Sequence, residues 1–420
     1  MPENEVHRAI AAIFRIEQAK LIATIARRIG DVGTAEELVQ DALLAAVQRW
    51  LDEGIPAKPG AWLMAAAKNR AVDVMRRRVI MERKYDEIAR LAELDGAEDL
   101  PEFSSDNVID DDLLRLIFTS CHPILSPDSR VALALRVLAG LTTAEIARAF
   151  LVPEATIAQR IVRAKRTLAE AGIPFEVPQG PDRAERLSSV LEVIYLVFNE
   201  GYSATAGSSW MRPELCEEAL RLGRILAELI PGEREVHGLV ALMEIQTSRL
   251  GARSGAGGEP ILLLDQDRAR WDQLLIRRGL AALKRASAQP GNAGPYSLQA
   301  AIAACHTRAT SAEETDWSKI ALLYDQLRQI TPSPVIELNR AVAIAMADGP
   351  AAGLAIVNEL ANEPSLKHYH LLPSVRGDLL EKLGRHAEAR PEFERAAKLT
   401  QNEREQKLLL GRAHDCDEVG

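Results

Sequence analysis

Aromatic residues make up only 4% of the chain, whereas apolar residues reach 47% with alanine and leucine foremost. That balance points to helices packed through small and aliphatic side chains, an all-α protein. Cysteine is confined to Cys121, Cys216, Cys305 and Cys416, far apart and without a C-x-x-C pair. The spacing excludes a disulfide framework or a zinc ribbon and indicates reduced thiols. Cys121 adjoins His122, but no further ligand stands at metal spacing. No stretch approaches the roughly 20 apolar residues a membrane span needs. The start, MPENEVHRAI, lacks the apolar segment of a secretory signal. A cytoplasmic protein without membrane contact is therefore expected. His7, His237, His306, His368, His370, His386 and His414 are scattered. No nucleophile–base pair, metal cluster or nucleotide loop appears, and the Gly-rich stretch Gly251–Pro260 is not followed by GK[ST]. No enzyme, catalytic residue, metal or cofactor is expected.

At 420 residues the chain has room for two or three domains. Its most informative stretch is Ser126–Leu168, which reads as a helix, a break, and two helices joined by a tight turn. Thr142 and Glu145 form a capping box ahead of Ile146, Ala147 and Phe150. Leu151–Pro153 interrupts, with Pro153 suited to the first turn of the next helix. There Ile157, Ile161, Ala164 and Leu168 form a buried stripe. Thr156, Gln159, Arg160, Arg163 and Arg166 fall on the other side with Lys165 beside them, opposed by one acid, Glu154. A one-sided cationic helix in a helix–turn–helix frame fits the DNA major groove.

The formal net charge of −9 conceals opposed blocks. Lys58–Lys84 holds eight basic residues against Asp73 and Glu82, whereas Asp86–Asp112 holds eleven acidic residues against Arg90. Upstream, Thr34 and Glu37 form a second capping-box pattern, predicting a helix Ala35–Trp50 that buries Leu38, Ala42, Val47 and Trp50. Ala61–Met81 reads as a third helix with Trp62, Ala66, Val72 and Met75 as its apolar stripe.

Three stretches, AEELVQDALLAAVQRW (Ala35–Trp50), PGAWLMAAAKNRAVDVMRRR (Pro59–Arg78) and TTAEIARAFLVPEATIAQRIVRAKRTL (Thr142–Leu168), occur in the order and spacing of a known family. Over roughly its first 170 residues the chain resembles the extracytoplasmic-function (ECF) sigma factors of bacterial RNA polymerase. The resemblance implies a region-2 domain at 1–85 that binds core polymerase and the −10 element. It implies an acidic linker at 86–112 and a region-4 domain at 113–172 that binds the −35 element. It further implies core polymerase as partner, through the β′ clamp helices and the β flap, and promoter DNA. On this reading Glu37, Leu38, Gln40 and Asp41 face polymerase, while Lys68, Asn69, Arg70, Arg76 and Arg77 meet the −10 region. Thr156, Gln159, Arg160, Arg163, Lys165 and Arg166 read the −35 element.

Residues 173–182, rich in Gly and Pro, read as a hinge, and 183–420 as a helical extension absent from the simplest members. In Tyr195–Ala204 (YLVFNEGYSA), Gly201 reads as a helix cap. Gly377, Leu380, Gly384, Ala389, Phe393 and Ala396 match the large and small positions of a tetratricopeptide repeat, and Gly349 precedes Gly384 by 35 positions. Repeats of this kind are expected over 331–400. They would expose a groove for a peptide or protein partner, so the tail is expected to act as a fused regulator. Two other readings compete: a helix–turn–helix activator with a repeat-type effector domain, and an enzyme seated in the C-terminal half. The first leaves Ala35–Arg78 unexplained, and the second needs a polar constellation the sequence does not display.

Overall fold

Helix ends set the frame of the first half. A computed structural model of the chain describes residues 3–89, 106–204, 206–207, 209–255 and 257–419. Helix α1 (Glu3–Ile29) leads into α2 (Val32–Glu53) with only Gly30 and Asp31 between them. The cap of α2 is Asp31, whose carboxylate accepts from Gly33 N and Thr34 N, so the helix starts three residues earlier than the Thr34–Glu37 pattern predicts. Thr34 is drawn into the same cap, its hydroxyl donating to Asp31 Oδ2 at 2.5 Å. Aspartate accepts these bonds more strongly than a threonine hydroxyl does and also favours the positive helix start.

Helix α3 (Pro59–Ala89) packs on α1 and α2 through Leu63, Ala67 and Ala71. None of the predicted Trp62, Ala66, Val72 and Met75 is fully buried; the buried stripe runs beside them. Trp62 is consequently only half-buried, its ring edge-on to buried Trp50 at 5.3 Å. Helix α4 (Asp106–Ser120) follows. Residues 90–105, the middle of the expected acidic linker, lie outside the described residues, while 86–89 belong to α3 and 106–112 to α4. Then come α5 (Pro127–Val137), α6 (Thr143–Phe150), α7 (Glu154–Glu170) and α8 (Pro181–Tyr202). The Thr142–Glu145 capping box forms as predicted, each partner bonding the other's backbone. Ile146 and Ala147 are buried but Phe150 only partly so, and Pro153 stands just before α7 rather than in its first turn.

The chain divides into two compact units, Met1–Val193 and Ile194–Gly420. The division falls inside α8, later than the hinge expected at 173–182. The first half of α8 is tied to the first unit by polar contacts. Arg186 donates to Phe118 O, Ser189 donates to Cys121 O, and buried Arg130 reaches both Ser189 and Glu192. Burial in this joint raises the Cys121 thiol to about 12 and lowers His122, beside Arg186, to about 4.

The second unit continues with α9 (Pro213–Leu229), α10 (Arg234–Thr247), α11 (Gln273–Ala288), α12 (Pro295–Arg308), α13 (Trp317–Ile330) and α14 (Pro334–Asp348). It ends with α15 (Pro350–Leu360), α16 (Leu371–Lys382), α17 (His386–Leu399) and α18 (Glu403–Val419). The Asp272 carboxylate caps the start of α11 at Gln273, just after a single 3-10 turn at Arg268–Arg270. Gly201 is no cap: it lies within α8. A Cβ there would meet Cys216 N at 2.6 Å and Arg212 O at 2.9 Å, so glycine is required by the close approach of α9. The repeat-like stretch forms two helical hairpins, α14–α15 and α16–α17, turning at Gly349 (φ 100°) and Gly384 (φ 71°). Gly377 admits the Phe393 ring, which a Cβ would meet at 2.8 Å. Among the described residues no helix is long and apolar enough to cross a membrane, and no cluster of three or more His, Cys, Asp or Glu is placed to hold a metal ion.

One short parallel pairing, β1 (Ala206–Gly207) with β2 (Gln401–Asn402), closes the second unit on itself. Asn402, 1% exposed, donates through Nδ2 to Ala204 O at 3.1 Å and Ser209 O at 3.0 Å. Its Oδ1 accepts from Arg404 N and Glu405 N at the start of α18. Replacing it with alanine leaves two carbonyls and two amides short of a partner. Asn402→Ala should therefore lower the stability of the full chain by about 2–4 kcal/mol. Urea unfolding followed by far-UV circular dichroism measures the loss, and an unchanged midpoint would count against this role.

Candidate nucleic-acid interface

Helix α7 owes its two faces to its sequence alone. Ile157, Ile161, Ala164 and Leu168 are all buried, matching the predicted stripe residue for residue. It is set against α6 by a turn in which Leu151 takes the left-handed conformation (φ 50°, ψ 41°), uncommon for a branched residue. The opposite face is mixed in character. Gln159, Arg163 and Arg166 are exposed, and Thr156 is half-buried. Arg160 pairs with Asp128 at 2.6 Å, and Arg166 lies 3.4 Å from Glu170.

Lys165 departs from the expectation. It turns away from the outer face to pair with Glu36 of α2. Glu36 is 3% exposed and also accepts from Arg136 Nε of α5 at 2.6 Å. Gln18 of α1 donates to Arg136 O at 2.8 Å, extending the same joint. A buried carboxylate costs several kcal/mol of desolvation unless compensated, and two cations on one anion meet that requirement. Helices α2, α5 and α7 are thereby packed against one another within the first unit. A second tie, Arg27 to Asp112 at 3.4 Å, joins α1 to α4. Asp112 also pairs with Arg115. Its burial holds its carboxyl above the usual range, against the opposing pull of both arginines.

On α2 the expected polymerase-facing set is divided. Glu37 and Asp41 are exposed as predicted. Leu38 is buried in the core, and Gln40 is half-buried and donates to Glu36 Oε1 at 3.2 Å. The apolar residue on the Glu37–Asp41 face is instead Leu44, 61% exposed. The spacing 37, 41, 44 carries that signal as one helical stripe, which a reading centred on Leu38 overlooks.

On α3, Asn69, Arg76 and Arg77 are exposed, whereas Lys68 and Arg70 are half-buried. Arg70 donates to Ala66 O. Burial, with the guanidinium groups of Arg28 and Arg27, holds the Lys68 ammonium below its ordinary range. The sequence reading missed those two α1 arginines. Convergence of Lys68, Arg28 and Arg27 from two helices makes a local positive field suited to phosphate.

A family model described as sigma-70 region 2 matches residues 13–79, and one described as sigma-70 region 4 matches 115–168. A family of unknown function (DUF6596) matches 186–287. An uncharacterised protein of Rhizobium meliloti (strain 1021) is 44% identical over 382 residues, covering 91% of this chain and 89% of that protein. The ECF RNA polymerase sigma factor SigL of Mycobacterium tuberculosis (strain ATCC 25618 / H37Rv) is 33% identical over 177 residues, 39% of this chain and 94% of its own length. The probable ECF RNA polymerase sigma factor SigI of the same strain is 27% identical over 180 residues, 42% of this chain and 60% of its own. No solved structure matches the chain significantly.

Removing Glu36 would leave Arg136 and Lys165 without their shared anion. Glu36→Ala should cost the joint between α2 and α5–α7 about 3–5 kcal/mol and open the first unit without melting its helices. Small-angle scattering should show a larger radius of gyration at unchanged helical circular dichroism. An unaltered radius would mean that apolar packing alone holds the joint.

Proposed function

Since the chain belongs to the ECF-type sigma factors of RNA polymerase, we propose that its three surfaces divide the work of promoter recognition. It is an alternative sigma factor, and that family acts in transcription initiation rather than in covalent catalysis. The outer face of α7, through Gln159, Arg160, Arg163, Arg166 and Thr156, reads the −35 element. The observation that carries this assignment is the exposure of Gln159, Arg163 and Arg166 opposite four fully committed core residues. Arginine forks match guanine edges in the major groove, and the salt pair of Arg160 with Asp128 is exchangeable for DNA contacts.

Lys68, Asn69, Arg70, Arg76 and Arg77, joined by Arg27 and Arg28, track the backbone of the −10 region. Glu37 and Asp41 flank Leu44 on the surface that docks on core polymerase, with charge guiding encounter and the leucine supplying apolar contact. Lys165 joins the DNA face only after it leaves Glu36, so promoter binding and separation of α2 from α7 are coupled. The extension serves regulation or assembly, with a peptide or protein as its partner.

The test is a set of substitutions read by two assays on the same protein. Changing Arg160, Arg163 and Arg166 together to Ala should abolish binding of the holoenzyme to its upstream element in a mobility-shift assay, each base-edge arginine contributing roughly 1–3 kcal/mol. Pull-down with core polymerase should be unchanged. Reversing Glu37 and Asp41 to Lys should do the converse, weakening competition for core polymerase while leaving the fold intact. A triple variant that shifts its promoter as well as the parent would overturn the assignment of α7.

A further inference from the structure

The second unit contains a cleft of about 580 Å³ between α9, α10 and α11, within the segment matched by the family of unknown function. Ala227, Pro231 and Val240 give it apolar walls. Two buried polar side chains sit in its lining with bonding capacity unused.

His237 is 4% exposed, and its Nε2 lies 2.8 Å from Pro231 O. A carbonyl only accepts, so Nε2 carries a proton, and in the tautomer with the proton on Nε2 alone Nδ1 is a bare acceptor. That Nδ1 is buried and meets no donor among the described residues. Glu244, 3% exposed, gives Oε1 to Arg224 at 2.8–2.9 Å, while its Oε2 is buried and likewise meets no donor among the described residues. Buried acceptors without donors are costly, so a hydrogen donor entering the cleft, water or a ligand hydroxyl, is stabilised there.

At the rim, Arg278 and Arg285 stand seven residues apart on one face of α11. Both are exposed, and among the described residues neither has a carboxylate at ion-pair distance. Glu228 shares the rim, so the opening is not uniformly cationic and does not favour a polyanion such as nucleic acid. The cleft thus offers acceptors inside and guanidinium donors at its mouth. We propose that it binds a small hydroxylated organic oxyanion. The hydroxyls donate to His237 Nδ1 and Glu244 Oε2, and the anionic group is held by Arg278 and Arg285. This makes the extension a receptor for a small molecule, independent of how α2, α3 and α7 divide polymerase and promoter contacts. Phosphate and carboxylate both suit the arginine fork, and the experiment separates them.

Titration calorimetry on the full chain would use glycerol 3-phosphate, glycerate and ethyl phosphate, the last lacking hydroxyl donors. Saturable binding is expected for glycerol 3-phosphate or glycerate, whichever anion the rim prefers, and about tenfold weaker binding for ethyl phosphate than for glycerol 3-phosphate if phosphate is preferred. The doubly substituted Arg278→Gln, Arg285→Gln chain should keep its thermal midpoint, since both side chains are exposed, and lose at least tenfold in affinity. Arg395→Gln, an exposed arginine on α17, should bind as the parent does. Absence of saturable binding for both hydroxylated probes would overturn the site. So would undiminished affinity in the double variant, or, for a phosphate-preferring rim, ethyl phosphate binding as tightly as glycerol 3-phosphate.

Discussion

A carboxylate withdrawn from water must be answered by charge, and Glu36 is answered from two different helices, by Arg136 and Lys165. That requirement organises the first unit. It brings α7 against α2, and it occupies one of the cations that the outer face of α7 would otherwise show. Hydrophobic contact alone is tolerant of small slides and rotations, whereas a buried anion with two cationic partners admits few geometries. The arrangement is therefore specific, and it is also breakable: each cation regains water on leaving, so the joint is a discrete contact rather than a fused core.

Periodicity made most of the helices and one complete face legible in advance. The stripe Ile157, Ile161, Ala164 and Leu168 and the Thr142–Glu145 box depend only on residues within one or two turns, and both appear as read. What was not legible depends on neighbours distant in the chain. Glu36 looks like an ordinary surface acid until Arg136 and Lys165 are brought to it. Leu38 and Leu44 are equally apolar, and only the placement of α1 and α3 decides which is covered. Two capping candidates overlapped at the start of α2, and Asp31 prevailed because its carboxylate reaches two amides while also accepting from Thr34. The misplaced stripe of α3 has the same origin: alanine-rich helices offer several faces of similar polarity, and packing against α1 and α2 decides among them.

The scarcity of aromatic residues gives each one weight. In the second unit several gather at the end of α8, where Phe198 stacks on Tyr202 at 5.7 Å and Arg253 lies 3.7 Å above the Tyr202 ring. The same guanidinium stands 5.2 Å from the Trp210 ring, and Arg249 lies within 6 Å of Tyr202 and Trp271. Burial lowers the pKa of Arg253 without discharging it, so ring faces do what carboxylates do elsewhere and stabilise cations inside a core. Gly201 lets α9 approach α8 beside them. The polar residues of YLVFNEGYSA serve the architecture: Glu200 holds Arg212, and the Tyr202 carbonyl accepts from Arg253.

The clasp of Ala206–Gly207 on Gln401–Asn402 sets an order of events during synthesis. The carbonyls of Ala204 and Ser209 are made early, yet their partner Asn402 is made nearly two hundred residues later. At ribosomal speeds of about 5–20 residues per second, that interval is roughly 10–40 s. Every internal partner of the first unit has been made by Val193, so it can close while the second is still being threaded out. A nascent chain would then present a folded sigma portion to polymerase before its extension has sealed, and any control exercised by that extension begins only with the last helix.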